Sequence, residues 1–236
     1  MNEPPALSAC VLIPAFNEAQ NIGNTVRAAR RLPVTDVLVV DDGSRDGTAA
    51  IAEAAGARVL RLPRNLGKGA AIQAGLGEVT SEAVLLLDAD LGDSAGHAAP
   101  LLFSLLRGCS DMAVAVFSSR QRRGGGLGLA VGLARWGVFI LTGRLLKAPL
   151  SGQRAIFSDT LRRLLPLPTD FGFEVGLTLR ALQAGLKIEE IPLPLLHRVT
   201  GRSPKEIWHR SRQFYHIGRV LFTYRKPVRR LEETRI

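Results

Sequence analysis

LLLDAD, Leu85–Asp90, is the stretch that decides the fold of this 236-residue chain. Val84–Leu87 are four apolar residues in a row, the character of a buried strand, and carboxylates follow at Asp88 and Asp90. Such a strand carries its carboxylates to the C-terminal edge of a sheet, where open α/β sheets place their ligands. Two aspartates two residues apart on an extended segment can jointly hold a hard divalent cation. Working outward, IPAFNE (Ile13–Glu18) and VVDDGSRDGT (Val39–Thr48) repeat the arrangement of an apolar run followed by acids. Ala9–Ile13, Asp36–Val40, Arg58–Leu62 and Glu82–Leu87 read as strands. Glu18–Arg31, Asp46–Ala55 and a stretch opening near Lys68 read as helices. Alternation at this interval predicts βαβ units and a largely parallel, Rossmann-like sheet.

A cation shared by Asp88 and Asp90 would bridge a diphosphate and neutralise the charge of a leaving group. The three motifs together therefore predict a metal-dependent enzyme acting on a nucleoside diphosphate sugar. Glu18 and Asp42, at the ends of the first two strands, can accept hydrogen bonds from a base or ribose. Asp46 or Ser44 reads as a helix cap. Lys68, in NLGKGAA at a helix start, would present an ammonium and backbone N–H groups to phosphate, or else is a solvated lysine. No GxxxxGK[ST] loop is present.

At 46% hydrophobic and 22% charged, the chain suits a globular domain. Cys10 and Cys109 have no metal-site or redox-pair spacing, and Cys10 reads as a buried thiol. The opening MNEPPALSAC lacks a basic, apolar leader, which predicts a cytoplasmic protein. The net charge of +10 is unevenly placed. Met112–Ser158 holds seven basic residues and no acid, and residues 200–236 hold ten basic against three acidic. Those segments carry +14 together, leaving about −4 for the part with the acidic motifs. An anionic acceptor, an anionic membrane surface or nucleic acid would each suit the basic part.

Past Asp90 the rhythm changes. Ala95–Arg107 reads as a helix, Met112–Phe117 as a strand, and SSRQRRGGG (Ser118–Gly126) as a basic loop. Leu127–Leu146 is apolar enough to raise the question of a membrane span. Arg135 in its middle argues instead for a helix buried in the protein or lying on a membrane. From about Pro204 to Arg225 a final helix is amphipathic, with Ile207, Phe214, Ile217, Leu221 and Tyr224 on one face. It would pack on its own domain or lie on a membrane surface.

The three motifs jointly resemble the nucleotide-binding half of GT-A-type, family-two-like glycosyltransferases. The resemblance implies a GT-A (Rossmann-like) α/β fold and a nucleotide-sugar donor contacted by Pro14, Ala15, Glu18, Asp42, Lys68, Asp88 and Ala89. It also implies Mg²⁺ or Mn²⁺ held by Asp88 and Asp90. PLSGQRA (Pro149–Ala155), DFGFEVGL (Asp170–Leu177) and PLLHRVTGRS (Pro194–Ser203) resemble glucosyl-3-phosphoglycerate synthases and polyprenyl-phosphate sugar synthases. Carried over, Gly152, Gln153, Arg154, Arg198 and Arg202 would face the acceptor, and His197 would be a third metal ligand or a structural histidine. Asp90, Glu174 and Arg154 would be catalytic. Gln153 departs from both groups, replacing a glycine in one and an aromatic in the other.

The chain is thus expected to be one domain: 1–93 binding the nucleotide sugar, 94–202 the acceptor, and 203–236 a basic amphipathic helix. The expected reaction moves a hexose, glucose foremost, from a UDP-sugar to an anionic acceptor such as a phosphoglycerate. The alternative is a polyprenyl-phosphate sugar synthase, with a UDP- or GDP-hexose donor, bound peripherally at the cytoplasmic face of the membrane. A homodimer stays open. A nucleotidyltransferase is the rival class, but IPAFNE is not its glycine-rich opening loop. Nucleic acid is not expected, because few aromatics interleave the basic residues.

Overall fold

The computed structural model describes residues 8–117, 129–170, 172–196 and 204–225, with the backbone alone for 204–213. The first half follows the expected alternation: β1 (Ala9–Ala15), α1 (Ile22–Ala29), β2 (Asp36–Asp41), α2 (Thr48–Ala54), β3 (Arg58–Arg61), α3 (Lys68–Gly77) and β4 (Ala83–Leu86). A 3-10 turn over Gly92–Ala98 then leads into α4 (Ala99–Leu106) and β5 (Met112–Phe117). The second half adds α5 (Leu129–Thr142), β6 (Arg154–Phe157), α6 (Ser158–Arg163), α7 (Phe173–Gln183), β7 (Ile188–Leu193) and α8 (Pro204–Thr223).

Seven strands form one sheet in the order β3-β2-β1-β4-β6-β5-β7. All neighbours are parallel except at β6, which runs antiparallel to both β4 and β5. The strand that begins at Arg154 therefore zips the second half onto the motif-bearing half, Leu86 pairing with Arg154 and Val84 with Ile156. The 1–93 and 94–202 portions share one sheet.

Strand side chains alternate between two cores, as the period of two requires. On β1, Cys10 and Leu12 face α3, α5, α7 and α8, while Val11 and Ile13 face α1 and α4. β4 divides likewise, with Val84 and Leu86 on one side and Leu85 and Leu87 on the other. Cys10 is buried as expected, and burial pushes its thiol up to about 12.

Several boundaries differ from the expectation. α1 starts at Ile22, because Asn17 takes a left-handed conformation (φ 55°) and residues 17–19 hydrogen-bond across to the DDGSRD loop. The expected helix over Ala95–Arg107 is split, with the 3-10 turn ending where Pro100 opens α4. The apolar Leu127–Leu146 stretch is helical only over Leu129–Thr142, and Gly143 ends it with a φ of 69°. Among the described residues no helix is long and apolar enough to cross a membrane.

α5 is half sunk. Ala134, Gly137 and Val138 face inward, and a Cβ on Gly137 would lie 2.3 Å from Leu221 Cδ1, so α5 and α8 meet where the side chain is smallest. Among the described side chains of α8 and the residue after it, Ile217, Val220 and Tyr224 are buried, whereas Phe214, expected on that face, is exposed. His216 and Arg219 instead reach Asp170, at 2.5 and 3.7 Å, fastening α8 to the loop before α7.

Candidate active site

The C-terminal ends of β1, β2 and β4 bring the three motifs to one edge. Two loops are stapled there. Asn17 N–H donates to Ser44 Oγ (2.9 Å), Glu18 N–H to Thr48 Oγ1 (2.8 Å), and Ala19 N–H to Asp46 Oδ2 (3.1 Å). Neither Asp46 nor Ser44 is the cap of α2: Gly47 takes that position in a left-handed conformation with no side-chain cap bond, while Asp46 Oδ1 accepts the Thr48 N–H (3.2 Å) from one residue earlier and Ser44 serves the stapling. Pro14 and Ala15 pair with Val40 and Asp41 at the sheet edge. Glu18 is half-buried, and its Oε2 accepts a bond from Asn21 Nδ2 (3.0 Å).

Asp42 differs from its expected role. It is buried, and its two oxygens accept the N–H groups of Leu66 (2.7 Å) and Gly67 (2.9 Å). A carboxylate spent on two backbone donors organises a loop. Here it fixes the entry to α3, and so the position of Lys68, the first residue of that helix.

Lys68 is the hub of the site. Its ammonium lies 2.6 Å from Asp88 Oδ1 and 2.6 Å from Glu174 Oε1. Burial pulls the ammonium's affinity for its proton down, but the two carboxylates more than reverse this and hold its pKa above the ordinary lysine range. Asp88 is met from the other side by Gln153, whose Nε2 donates to Oδ2 at 2.5 Å. Ser151 Oγ in turn donates to Gln153 Oε1 at 3.2 Å. Gly152 lies over the pair: a Cβ there would come within 2.7 Å of both Asp88 Oδ1 and Lys68 Nζ, so a larger residue would displace the loop or part the ion pair. Two separated segments thus meet Asp88 directly, and a third, α7, reaches it through the shared Lys68 ammonium.

Glu174, on the first turn of α7 and nearly buried, is committed to Lys68. It is a residue that positions the ammonium, not a freestanding base.

Arg154 corrects the expectation most sharply. Its side chain is wholly buried, with Nε donating to Ser151 O (2.7 Å), Nη1 to Thr178 Oγ1 (2.8 Å) and Nη2 to Pro149 O (2.7 Å). The guanidinium ties the PLSGQ loop to α7 and does not face an acceptor. Burial brings its pKa down to about 10, with Glu174, Glu190 and Asp88 opposing the fall, so it stays charged at neutral pH.

Thr25 is the residue that sequence reading missed. Buried on α1, its Oγ1 donates to Ala89 O (2.8 Å) and accepts the Gly92 N–H (2.9 Å). It braces the turn that carries Asp88 and Asp90. A threonine inside an amphipathic helix gives no local sign of this, because its partners lie 64 and 67 residues away.

A hard cation fits the donor set. Asp88 and Asp90 offer oxygen ligands on one turn, and Asp88 already draws a cationic group, the Lys68 ammonium. Among the described residues no three His, Cys, Asp or Glu side chains converge into a complete metal site. His197, the expected third ligand, and Arg198 and Arg202, expected at the acceptor, lie outside the described residues.

Residues 10–150 match the family model of glycosyl transferase family 2, and the chain belongs to that family. It is 30% identical over 211 residues to the undecaprenyl-phosphate mannosyltransferase of Micrococcus luteus, covering 81% of this chain and 85% of that one. It is 28% identical over 206 residues to glycosyltransferase AglJ of Haloferax volcanii, covering 84% of this chain and 66% of the relative. Solved structures of glucosyl-3-phosphoglycerate synthase from Mycobacterium tuberculosis share the fold. The complex with Mg²⁺ and uridine diphosphate has a TM-score of 0.79 at 27% identity, covering 92% of this chain and 79% of that one. The complex with Mn²⁺, UDP-glucose and phosphoglyceric acid has a TM-score of 0.76, also at 27% identity, covering 93% and 80%. The GT-A architecture expected from the motifs is the one observed, and family membership sets the nucleotidyltransferase reading aside.

Proposed function

We propose that this chain transfers a hexose, glucose foremost, from a UDP-sugar to an anionic acceptor. The observation that carries the reading is that Lys68 and Gln153 meet Asp88, with Glu174 sharing the Lys68 ammonium, at the C-terminal sheet edge where open α/β sheets hold their ligands. Pro14, Ala15, Glu18 and Ala89 would line the donor, with Asp42 acting through the α3 entry loop. Asp88 and Asp90, with His197, would hold Mg²⁺ or Mn²⁺. A divalent ion there supplies Lewis-acid stabilisation of the departing diphosphate.

The residues of the chain do the rest. Lys68 can turn from Asp88 toward the diphosphate, exchanging one anionic partner for another, with Glu174 keeping the ammonium within reach. The bond from the anomeric carbon to the diphosphate oxygen breaks as an acceptor oxygen forms its own bond to that carbon. A phosphate or carboxylate oxygen is already ionised and requires no base, which agrees with Glu174 being paired. Gly152 and Gln153, with Arg198 and Arg202, would border the acceptor.

A second acceptor reading, a polyprenyl phosphate at the cytoplasmic face of a membrane, is favoured by one observation. α5 exposes Trp136 (61%) and Ile140 (59%) beside the loop that leads to Gln153. The likeness to the undecaprenyl-phosphate enzyme supports it, whereas the phosphoglyceric acid bound by the structural relative supports the small acceptor.

One experiment separates them. UDP-glucose, labelled in the sugar, is incubated with Mn²⁺ and either 3-phosphoglycerate or detergent-dispersed undecaprenyl phosphate, with GDP-mannose in parallel. Label in the water-soluble product supports the first reading, and label in the organic phase supports the second. No product from any donor, with uridine and guanosine diphosphates both failing to bind, would overturn the proposal.

A further inference from the structure

The large apolar side chains left exposed on the described residues concentrate on one part of the molecule. Leu129 (63%), Trp136 (61%) and Ile140 (59%) share a face of α5 at helical spacing, and Leu145 (75%) follows it. Tyr215 (66%) and Phe222 (65%) stand on α8, beyond Leu221, the residue packed on Gly137 of α5. The exposed rows of both helices therefore adjoin one seam. Isolated exposed apolar residues are ordinary, but two adjoining rows signal a surface that is covered in use.

We propose that this α5/α8 face docks on the surface of an anionic phospholipid bilayer. The charge around it selects that occupant. Arg135, Arg144 and Lys147 lie on α5 or just past it, Arg225 follows α8, and the sequence has no acidic residue between Asp111 and Asp159. Tryptophan and tyrosine among aliphatic residues, rimmed by cations, suit the headgroup boundary. A second copy of the chain fits less well. A twofold contact would set Arg135, Arg144 and Lys147 against their own images with no carboxylate in Met112–Ser158 to offset them.

The face also has a route to the site. Arg135 Nε donates to Lys147 O (2.9 Å), and Glu190 accepts the N–H groups of Lys147 (2.8 Å) and Ala148 (2.6 Å). α5 and β7 thus hold the loop that ends in Gly152 and Gln153 over Asp88. A docked protein would present that loop toward the headgroups. The inference deepens the lipid-acceptor reading, and its test uses membranes that contain no polyprenyl phosphate.

Co-sedimentation of the whole chain with phosphatidylcholine vesicles, with and without phosphatidylglycerol, is the first measurement. Binding is expected to the anionic vesicles at low salt and to fall about tenfold or more at high salt. The double variant Trp136→Ser/Ile140→Ser, altered only at exposed positions, should bind at least about tenfold more weakly while UDP affinity is unchanged. In a Trp208→Phe background, Trp136 emission should shift to the blue on adding vesicles and be quenched by brominated lipid. Absence of binding to anionic vesicles at low salt would overturn the proposal. So would a blue shift that follows protein concentration without vesicles, which would assign the face to a second copy. Vesicle binding without transfer to undecaprenyl phosphate would leave the docking in place and remove only the lipid-acceptor reading.

Discussion

Asp41, Asp42, Asp46 and Asp88 each accept a bond from a named donor at the end of β1–β4, whereas α5 and α8 hold Trp136, Ile140 and Phe222 out in solvent. The first region is organised from within. Its carboxylates are oriented by N–H, Lys68 and Gln153 donors before any ligand arrives, which is what transition-state stabilisation by fixed charges requires. The second is organised toward something outside the chain, because exposed apolar area gains nothing until it is covered. The contrast separates residues whose loss should damage chemistry, residues whose loss should damage folding, and residues whose loss should damage attachment.

The largest expected effect is at Asp90. On the proposed function, Asp90→Ala should lower transfer by at least about 10⁴-fold, roughly 5.5 kcal/mol, and remove the Mn²⁺ dependence of UDP binding. Titration calorimetry with and without Mn²⁺ reads this directly. Equal metal-dependent affinity in the variant and the parent would break the assignment of the carboxylate edge to a cation.

Arg154→Ala comes next and should act on folding. Removing a buried guanidinium leaves the Ser151 carbonyl without its donor and the Pro149 carbonyl with Thr178 Oγ1 alone, a loss of about 3–5 kcal/mol in urea unfolding. An unchanged unfolding midpoint with a raised acceptor KM would return Arg154 to the acceptor side.

Gln153→Leu keeps side-chain size near its original but deletes the donor to Asp88. A neutral donor to a carboxylate is worth about 1.5–3 kcal/mol, so Mn²⁺-dependent UDP affinity should change by about ten- to 150-fold. Vesicle binding should stay as in the parent. A change in vesicle binding equal to the change in UDP affinity would erase the division between the two regions.

The smallest effect is a pH dependence. The pKa of Lys68 is raised on folding, so its stabilisation is complete below the unfolded lysine value of about 10.4 and fades as pH climbs past it. The difference in melting temperature between the parent and Lys68→Met should therefore be flat from pH 6 to about 9 and narrow above about 10.5. A gap that closed between pH 6 and 8 would mean that Asp88 and Glu174 do not hold the ammonium.

Much of the first half was legible because its information is local. An unbroken apolar run put Val84–Leu87 in the core, and the chain continuing past the strand had to deliver Asp88 and Asp90 to the edge. The misreadings fall where the deciding partner is distant. Asp42 resembles a ligand-facing acid until Leu66 and Gly67 supply their N–H groups, and Arg154 resembles an anion clamp until Thr178 and the Pro149 carbonyl enclose it. Residue type announces the charge, but its direction depends on which segment packs on it.

Three features could be read from residue order alone: a largely parallel sheet, acids at its C-terminal edge, and positive charge gathered in the second half. Each follows from periodicity or composition within a few dozen residues. Only the tertiary structure decided that β6 enters antiparallel between β4 and β5, bringing Gly152 and Gln153 onto Asp88. Distant packing also made Glu174 and Asp88 share Lys68, and set Thr25 to brace the turn that carries Asp88 and Asp90. It alone left one face of α5 and α8 uncovered. Those outcomes rest on pairings across tens of residues, where the free energy of packing and of satisfying buried polar groups selects one arrangement that no local pattern encodes.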